Sequence, residues 1–202
     1  MTTLDSPKVN EVLQELHRRA AAEHPRNSKV DFASIPPAER YMAVDPSTGQ
    51  LLYLLTRLSQ SKNIVEFGTS FGVSTCYLAA ALKDNGGGKV IATEMLPSKA
   101  AACRVNLMKA ELREYVDLRE GDALQTLAQN LPEKIDFVFL DGAKYLYTSV
   151  LRLLKPNINE RALVVADNMN RVDEEFFKWL RDNDFIGLEI PFKGGVGVFG
   201  RF

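Results

Sequence analysis

The segment IVEFGTSFGVST, residues 64–75, joins an apolar run to a loop with two glycines and then to a helical stretch. In an open parallel sheet, a ligand binds beyond the carboxyl ends of the strands, where glycine lets it approach the backbone closely. The helix that follows offers free N–H groups. Taken alone, the loop has a second interpretation as a purely structural turn. The segment therefore predicts a strand–loop–helix unit with a candidate ligand site at Gly68.

The same alternation continues along the chain. Further strand-type runs occur at residues 90–93, 116–118, 137–140 and 163–166. Helical stretches occur between them, at residues 74–82, 98–112 and 144–154. Because the strands are apolar and their connections are helical, we predict a doubly wound α/β fold, a mostly parallel sheet covered on both faces. The turn Phe192-Lys193-Gly194-Gly195 separates two final runs and predicts a hairpin, hence an antiparallel last strand.

A different kind of sequence precedes this alternation. The N-terminal helix has apolar residues at helical spacing, and residues 23–37 are polar and contain prolines. Asp45-Pro46 predicts the start of a second helix. We divide the chain into an N-terminal helix and arm, residues 1–45, and one α/β domain, residues 46–202. The apolar face of the first helix can pack on its own domain or against a second subunit.

Composition excludes several classes of site. With 25 basic and 26 acidic residues, the charge balance argues against a protein that binds nucleic acid through a whole-surface field. The two histidines, His17 and His24, are both N-terminal, so a Ser-His-Asp triad or a His/Cys zinc site is not expected. Cys76 and Cys103 lie in predicted helices and are interpreted as buried apolar residues. No run approaches the about 18 apolar residues of a membrane span, and we expect a cytoplasmic protein.

Two acidic residues indicate which ligand the glycine loop binds. A dinucleotide-binding loop begins with a glycine where this chain has Glu66. A carboxylate there would repel a pyrophosphate but suits a ligand with a positive charge. Glu94, at the end of the second strand, is in position to accept hydrogen bonds from ribose hydroxyls. Together they favour S-adenosylmethionine over NAD or FAD.

Polar residues also end the fourth and fifth strands. Asp141 follows the fourth strand, and Asp167 and Asn168 follow the fifth, so all three should meet at one sheet edge. Three oxygen donors suit a hard divalent cation, Mg²⁺ first. Taken singly, each has a structural alternative, because Asp and Asn commonly cap turns and helices. Lys144, three positions after Asp141, is a candidate general base, with a solvated surface lysine as the alternative.

Five motifs, VEFGTSFGVST, ATEM, EGDAL, LDGAKxxY and VADN, together resemble the class I, metal-dependent catechol O-methyltransferase-like family. The resemblance covers roughly residues 41–168. It implies a seven-stranded sheet, S-adenosylmethionine as methyl donor, and Mg²⁺ or another divalent cation. The implied cofactor-binding residues are Met42, Val44, Glu66, Gly68, Thr69, Ser70, Ser74, Glu94, Met95, Asp122, Ala123 and Asp141. The implied metal ligands are Asp141, Asp167 and Asn168, with Lys144 as the catalytic base.

The resemblance also implies the reaction, a methyl transfer to a hydroxyl of a small catechol-like or vicinal-diol acceptor. Two departures bear on the acceptor. Met169-Asn170-Arg171 stand where relatives often have bulky aromatic residues, and Gly142-Ala143 replace larger side chains that cover the adenine in some relatives. A homodimer is expected, because relatives commonly dimerise.

Two other functions stay open at this point. Relatives of the family methylate hydroxylated uridine in tRNA, and Arg18, Arg19, Arg26 and Lys29 could contact phosphates, although a solvated helix face explains them equally well. The other function is that of a non-catalytic adenosine-binding protein with a residual cofactor pocket.

Overall fold

A computed structural model describes residues 2–23 and 35–202, which form a seven-stranded sheet with helices on both faces. The strands are β1 (Asn63–Phe67), β2 (Lys89–Glu94), β3 (Val116–Glu120), β4 (Ile135–Leu140), β5 (Ile158–Asp167), β6 (Ile186–Ile190) and β7 (Val196–Gly200). The helices are α1 (Pro7–Glu23), α2 (Pro46–Leu58), α3 (Val73–Asp84), α4 (Pro97–Lys109), α5 (Ala123–Thr126), α6 (Tyr147–Leu154) and α7 (Glu174–Asp182). The predicted fold class is confirmed.

The strand order is β3-β2-β1-β4-β5-β7-β6. Strands β1 to β5 are mutually parallel, so their carboxyl ends lie at one edge of the sheet. The last strand, β7, is antiparallel to both of its neighbours, as predicted. It lies inside the sheet, because β7 pairs with β5 while β6 takes the outer position.

Both faces of the sheet are covered by buried apolar side chains. Along β1, Ile64 belongs to the core under α1, α3 and α4, whereas Val65 and Phe67 belong to the core under α6 and α7. Alternating side chains of one strand thus serve two helical layers, which is the packing expected of a doubly wound sheet. Cys76 and Cys103 are buried free cysteines, as predicted.

The N-terminal helix packs on its own domain. Val9, Leu13 and Leu16 of α1 are buried in the same core cluster as Leu78 of α3. Of the two alternatives for this apolar face, the described residues therefore support the intramolecular one. Most of the predicted arm, with His24, Arg26 and Lys29, lies outside the described residues. No helix in the described ranges has both the length and the apolarity to cross a membrane.

Candidate active site

The glycine loop is held tightly between β1 and β4. Gly68 has a φ of +95°, and a Cβ at this position would lie 2.6 Å from the backbone nitrogen of Gly142. Asp141 N donates to Phe67 O at 2.8 Å, which joins the ends of the two strands. A Cβ at Gly142 would in turn lie 2.5 Å from the ring of Phe67. Both glycines are therefore required by close packing, and the departure at Gly142 has a structural reason.

Glu66 is fully buried on β1, beneath this loop. Its carboxylate accepts hydrogen bonds from the hydroxyls of Thr69 at 3.2 Å, Ser74 at 2.5 Å and Thr75 at 2.6 Å. Burial raises the pKa of Glu66 to about 7, although these three hydrogen bonds oppose the shift. Glu66 thus holds the loop and the start of α3 in place through Thr69, Ser74 and Thr75, and Thr69 and Ser74 also line a narrow cleft at the surface.

The side chain of Glu94, at the end of β2, accepts hydrogen bonds from the loops that follow β1 and β2. Its Oε2 accepts from Ser70 N at 2.7 Å, and its Oε1 accepts from Leu96 N at 2.9 Å. Each carboxylate oxygen has further lone pairs, so the side chain can still accept hydrogen bonds from a ligand.

The neighbouring strand end brings the other predicted adenine-side residues to the same edge. Gly121 N donates to Glu94 O at 2.9 Å. Asp122 caps α5 by accepting from Leu124 N at 2.9 Å, Ala123 is buried, and Met95 is exposed. The structure thus places these residues side by side, and their contact with a cofactor stays a prediction.

Residues 41–44 line a narrow cleft together with the glycine loop. Tyr41 stacks on Phe71 with ring centroids 4.0 Å apart, Val44 is buried, and Met42 is 55% exposed.

Lys99, which sequence reasoning missed, is buried on α4 and links the segment before Tyr41 to the glycine loop. Its Nζ donates to Arg40 O at 2.9 Å and to Ser70 Oγ at 3.3 Å.

The predicted metal ligands and base converge at the ends of β4 and β5. Lys144 Nζ lies 3.0 Å from Asp141 Oδ1, and both side chains are only 15% exposed. Asp167 is 7% exposed, and its Oδ2 accepts from Asn168 Nδ2 at 2.5 Å. All four residues line one open groove, together with part of α1. The groove is therefore walled on one side by α1 and on the other by the ends of β4 and β5.

Both aspartates are in an environment that disfavours their charged forms. Burial raises the pKa of Asp141, and the charge of Asp167 raises it further while Lys144 opposes the shift. Burial also raises the pKa of Asp167. Two buried carboxylates side by side repel one another, and a bound cation would relieve this repulsion.

The donor set fits a divalent cation that prefers oxygen. Asp167 Oδ1 is buried and has no hydrogen-bond partner among the residues that the structure describes, and such an atom is costly unless something binds it. The Oδ1 atom of Asn168 is not used in its bond to Asp167 and is available as a third donor. Among residues 2–23 and 35–202, no group of three or more His, Cys, Asp or Glu side chains could hold a metal, so the amide would have to complete the set.

Tyr147 is a second residue whose role sequence reasoning missed, although it ends the LDGAKxxY motif. It is fully buried, and its hydroxyl lies 2.8 Å from Leu140 O and 3.1 Å from Asp167 O. Lys144 Nζ lies 5.4 Å from the centroid of its ring. The Tyr147 hydroxyl thus links the ends of β4 and β5, and its ring lies next to the ammonium group of Lys144.

Comparisons with known proteins place this geometry in a family. A family model described as a methyltransferase domain matches residues 65–169. Catechol O-methyltransferase of Niastella koreensis is 39% identical over 137 residues, which cover 64% of this chain and 59% of that protein. Catechol O-methyltransferase of Mycobacterium tuberculosis is 32% identical over 141 residues, covering 70% and 61%. The chain thus spans about three fifths of the length of these relatives.

Solved structures agree with this assignment. A methyltransferase from Geobacter sulfurreducens is similar with a TM-score of 0.75 and 26% identity, covering 98% of this chain and 91% of that chain. The O-methyltransferase TomG from Streptomyces achromogenes, solved with S-adenosylmethionine, has a TM-score of 0.68 and 25% identity, covering 92% and 88%. Because the family match runs from β1 through the ends of β4 and β5, it includes the glycine loop and all the predicted metal ligands. The chain therefore belongs to the class I, catechol O-methyltransferase-like family of methyltransferases.

Proposed function

We propose that this chain is an O-methyltransferase that moves a methyl group from S-adenosylmethionine to a hydroxyl of a small catechol-like or vicinal-diol acceptor. The observation that carries the proposal is the cluster at the ends of β4 and β5. There, the Asp141–Lys144 pair lies beside Asp167, which has a buried oxygen with no hydrogen-bond partner in the described part of the chain. The relatives named catechol O-methyltransferase support the acceptor class.

The cofactor half of the proposal rests on the loop geometry. Gly68 lines the narrow cleft with Asp141 and residues 41–44, and Glu94 has acceptor capacity at the end of β2. Thr69 and Ser74 line the same cleft and donate to the buried Glu66 carboxylate, so a cationic donor would meet hydroxyls that are polarised by a carboxylate. This arrangement favours binding of a sulfonium with its amino acid end at Gly68 and its ribose at Glu94.

The acceptor half uses the second cluster. Asp141, Asp167 and Asn168 would hold the divalent cation, which supplies binding of two acceptor oxygens and a lowered pKa of the acceptor hydroxyl. Lys144, whose Nζ is beside Asp141, would take the hydroxyl proton as general base in its neutral amine form. The acceptor oxygen then bonds to the methyl carbon while the carbon–sulfur bond breaks. Because a negative oxygen and a positive sulfur both become neutral, a poorly hydrated groove favours the reaction.

The two alternatives receive less support. Arg18 and Arg19, invoked for tRNA, both pair with Glu15 on the exposed side of α1. A non-catalytic adenosine-binding protein would not need the buried Asp167 oxygen or the lysine beside Asp141. A homodimer and a cytoplasmic location stay predictions.

Methyl transfer tests the proposal. The protein is incubated with methyl-labelled S-adenosylmethionine and catechol, with Mg²⁺, with excess chelator, and with chelator followed by excess Mg²⁺. We expect transfer with Mg²⁺, its loss with chelator and its recovery afterwards. Cofactor binding without transfer to any diol would support the non-catalytic alternative, and transfer that ignores the chelator would remove the cation from the account.

A further inference from the structure

Two basic residues stand on the rim of the groove, close to the predicted metal ligands. Arg171 ends a short 3₁₀ turn, Met169–Arg171, directly after Asn168. Lys193 lies in the turn between β6 and β7. Both side chains are exposed and line the same groove as Asp141 and Lys144.

The backbone fixes these two segments against each other. Met169 N donates to Gly195 O at 3.1 Å, and Asn170 N donates to Gly194 O at 3.3 Å. A Cβ at Gly194 would lie 3.5 Å from Asn168 Cα, so the hairpin turn packs directly on the segment that carries the predicted ligand. The positions of the two basic residues therefore follow from the fold.

Within residues 2–23 and 35–202, neither cation is neutralised by a side chain of the protein. In the part of the chain that the structure describes, no ion pair or side-chain hydrogen bond is formed by Arg171 or Lys193. By contrast, the groove lysine Lys144 pairs with Asp141, and Arg18 on the opposite wall pairs with Glu15. Two positive charges on the rim thus stay available to a ligand.

Other acidic groups of the groove make local hydrogen bonds and keep their charge. Asp45 lines the groove, and its carboxylate caps α2 by accepting from Ser47 N at 3.0 Å. Asp5, near the N-terminus, accepts from Thr2 Oγ1 at 2.8 Å and from Thr2 N at 3.0 Å. The remaining carboxylates, Asp141 and Asp167, are the predicted cation ligands. With a divalent cation bound there, the acceptor end of the groove would carry a net positive charge.

We infer that the acceptor is an aromatic diol with a carboxylate, which Arg171 and Lys193 bind while the hydroxyls face Lys144. The inference deepens the proposed function and rests on it. Because the rim beside the predicted metal ligands carries Arg171 and Lys193, selectivity for the acceptor would depend on charge. An exposed ion pair contributes up to about 1 kcal/mol, or up to about fivefold in binding, so two together allow up to about thirtyfold, and we expect about tenfold.

The test compares two diols of one skeleton, 3,4-dihydroxybenzoate and 3,4-dihydroxybenzyl alcohol. The ratio of their kcat/KM values is measured for the wild type, for the double variant Arg171→Gln/Lys193→Gln, and for Lys178→Gln as control. Lys178 pairs with Asp182 on α7 and does not line the groove. We expect the acid-to-alcohol ratio to fall about tenfold in the double variant, mainly through KM, and to stay unchanged in the control. An unchanged ratio in the double variant overturns the inference.

A binding measurement distinguishes a failure of this inference from a failure of the proposed function. If the wild type methylates neither diol, the proposed function fails, and calorimetry of both diols with the protein loaded with S-adenosylhomocysteine and Mg²⁺ still tests the rim. We expect the acid to bind more tightly than the alcohol, with the difference lost in the double variant and reduced at high salt. Equal affinity for both diols in the wild type contradicts the cationic rim.

Discussion

The cofactor side and the acceptor side of the groove differ in how fully their polar atoms are satisfied. Around the glycine loop, Glu66 accepts from three hydroxyls and Glu94 accepts from two backbone N–H groups. Around the ends of β4 and β5, the described residues give one buried oxygen of Asp167 no hydrogen-bond partner, and they give the Arg171 side chain no ion-pair partner. The polar atoms of the first side are already hydrogen-bonded by the protein, so this side is a preorganised binding surface. The unpaired polar atoms of the second side can bind ligands.

The largest effect should come from disturbing the preorganised side. Gly68→Ala combines a φ of +95° with a Cβ 2.6 Å from the backbone of Gly142, so we expect a loss of about 4 kcal/mol in the free energy of unfolding. Gly87→Ala is the matched control, because Gly87 has a φ of +116° with nothing within 4 Å of the added Cβ. It should cost less, about 2 kcal/mol, because only the backbone conformation opposes the added side chain. Urea unfolding measures both, and equal losses would mean that the close approach of β1 and β4 is unimportant.

The next effect belongs to the acceptor side. Lys144→Met should lower kcat by about 10²-fold or more, the usual scale for loss of a general base, and leave the affinity for the cofactor near the wild-type value. Lys178→Met is the control, because it removes another lysine that pairs with an aspartate, on an exposed helix face. Kinetics with catechol and calorimetry with S-adenosylhomocysteine provide the two measurements. A variant that keeps its kcat would exclude Lys144 as the base.

A smaller effect should appear in the dependence of stability on pH. The pKa of Glu66 is raised from its ordinary 4.5 to about 7 by burial, so the folded protein binds this proton more tightly than the unfolded chain. The contribution of Glu66 to stability is therefore largest below about pH 4.5 and is lost as the pH rises toward 7. Glu66→Gln removes this loss. Relative to the wild type, its free energy of unfolding should rise by about 2 kcal/mol between pH 5 and pH 7.

Glu111→Gln is the control for that measurement. Glu111 is exposed, and the hydrogen bond from Lys8 lowers its pKa, so its contribution to stability depends on pH in the opposite direction. Urea unfolding at several pH values compares the two variants. A difference between Glu66→Gln and the wild type that does not change with pH would mean that Glu66 titrates as it does in the unfolded chain.

The sheet could be predicted from the sequence because its strands are short apolar runs between helices and turns. The predicted ends of the strands were less accurate where a strand extends into polar residues. Strand β5 begins at Ile158, five residues before the predicted run, because the exposed residues Glu160 and Arg161 belong to its outer end. Helix α5 has four residues and is too short for helical periodicity to appear. The hairpin predicted an antiparallel pair but not which of its strands would join β5.

The two sides of the site also differ in how far the sequence alone could predict them. The strand-end residues Asp141, Asp167 and Asn168 could be predicted to meet, because parallel strands place their carboxyl ends together. The network under the glycine loop could not, because the bond from Thr75 to Glu66 depends on how α3 packs on β1. Lys99 had no local signal either, since its partners are a backbone carbonyl and a serine in two distant segments.

Titration with Mn²⁺ tests the central claim, that the ends of β4 and β5 form a cation site, most directly. Binding is followed by electron paramagnetic resonance of free Mn²⁺, with the protein loaded with S-adenosylhomocysteine. Asp167→Asn removes a predicted ligand charge, and Asp173→Asn changes an aspartate that caps α7. We expect one site in the wild type and in Asp173→Asn, displaced by Mg²⁺ and lost in Asp167→Asn. Equal binding in Asp167→Asn and the wild type, or no binding in the wild type, would contradict the account.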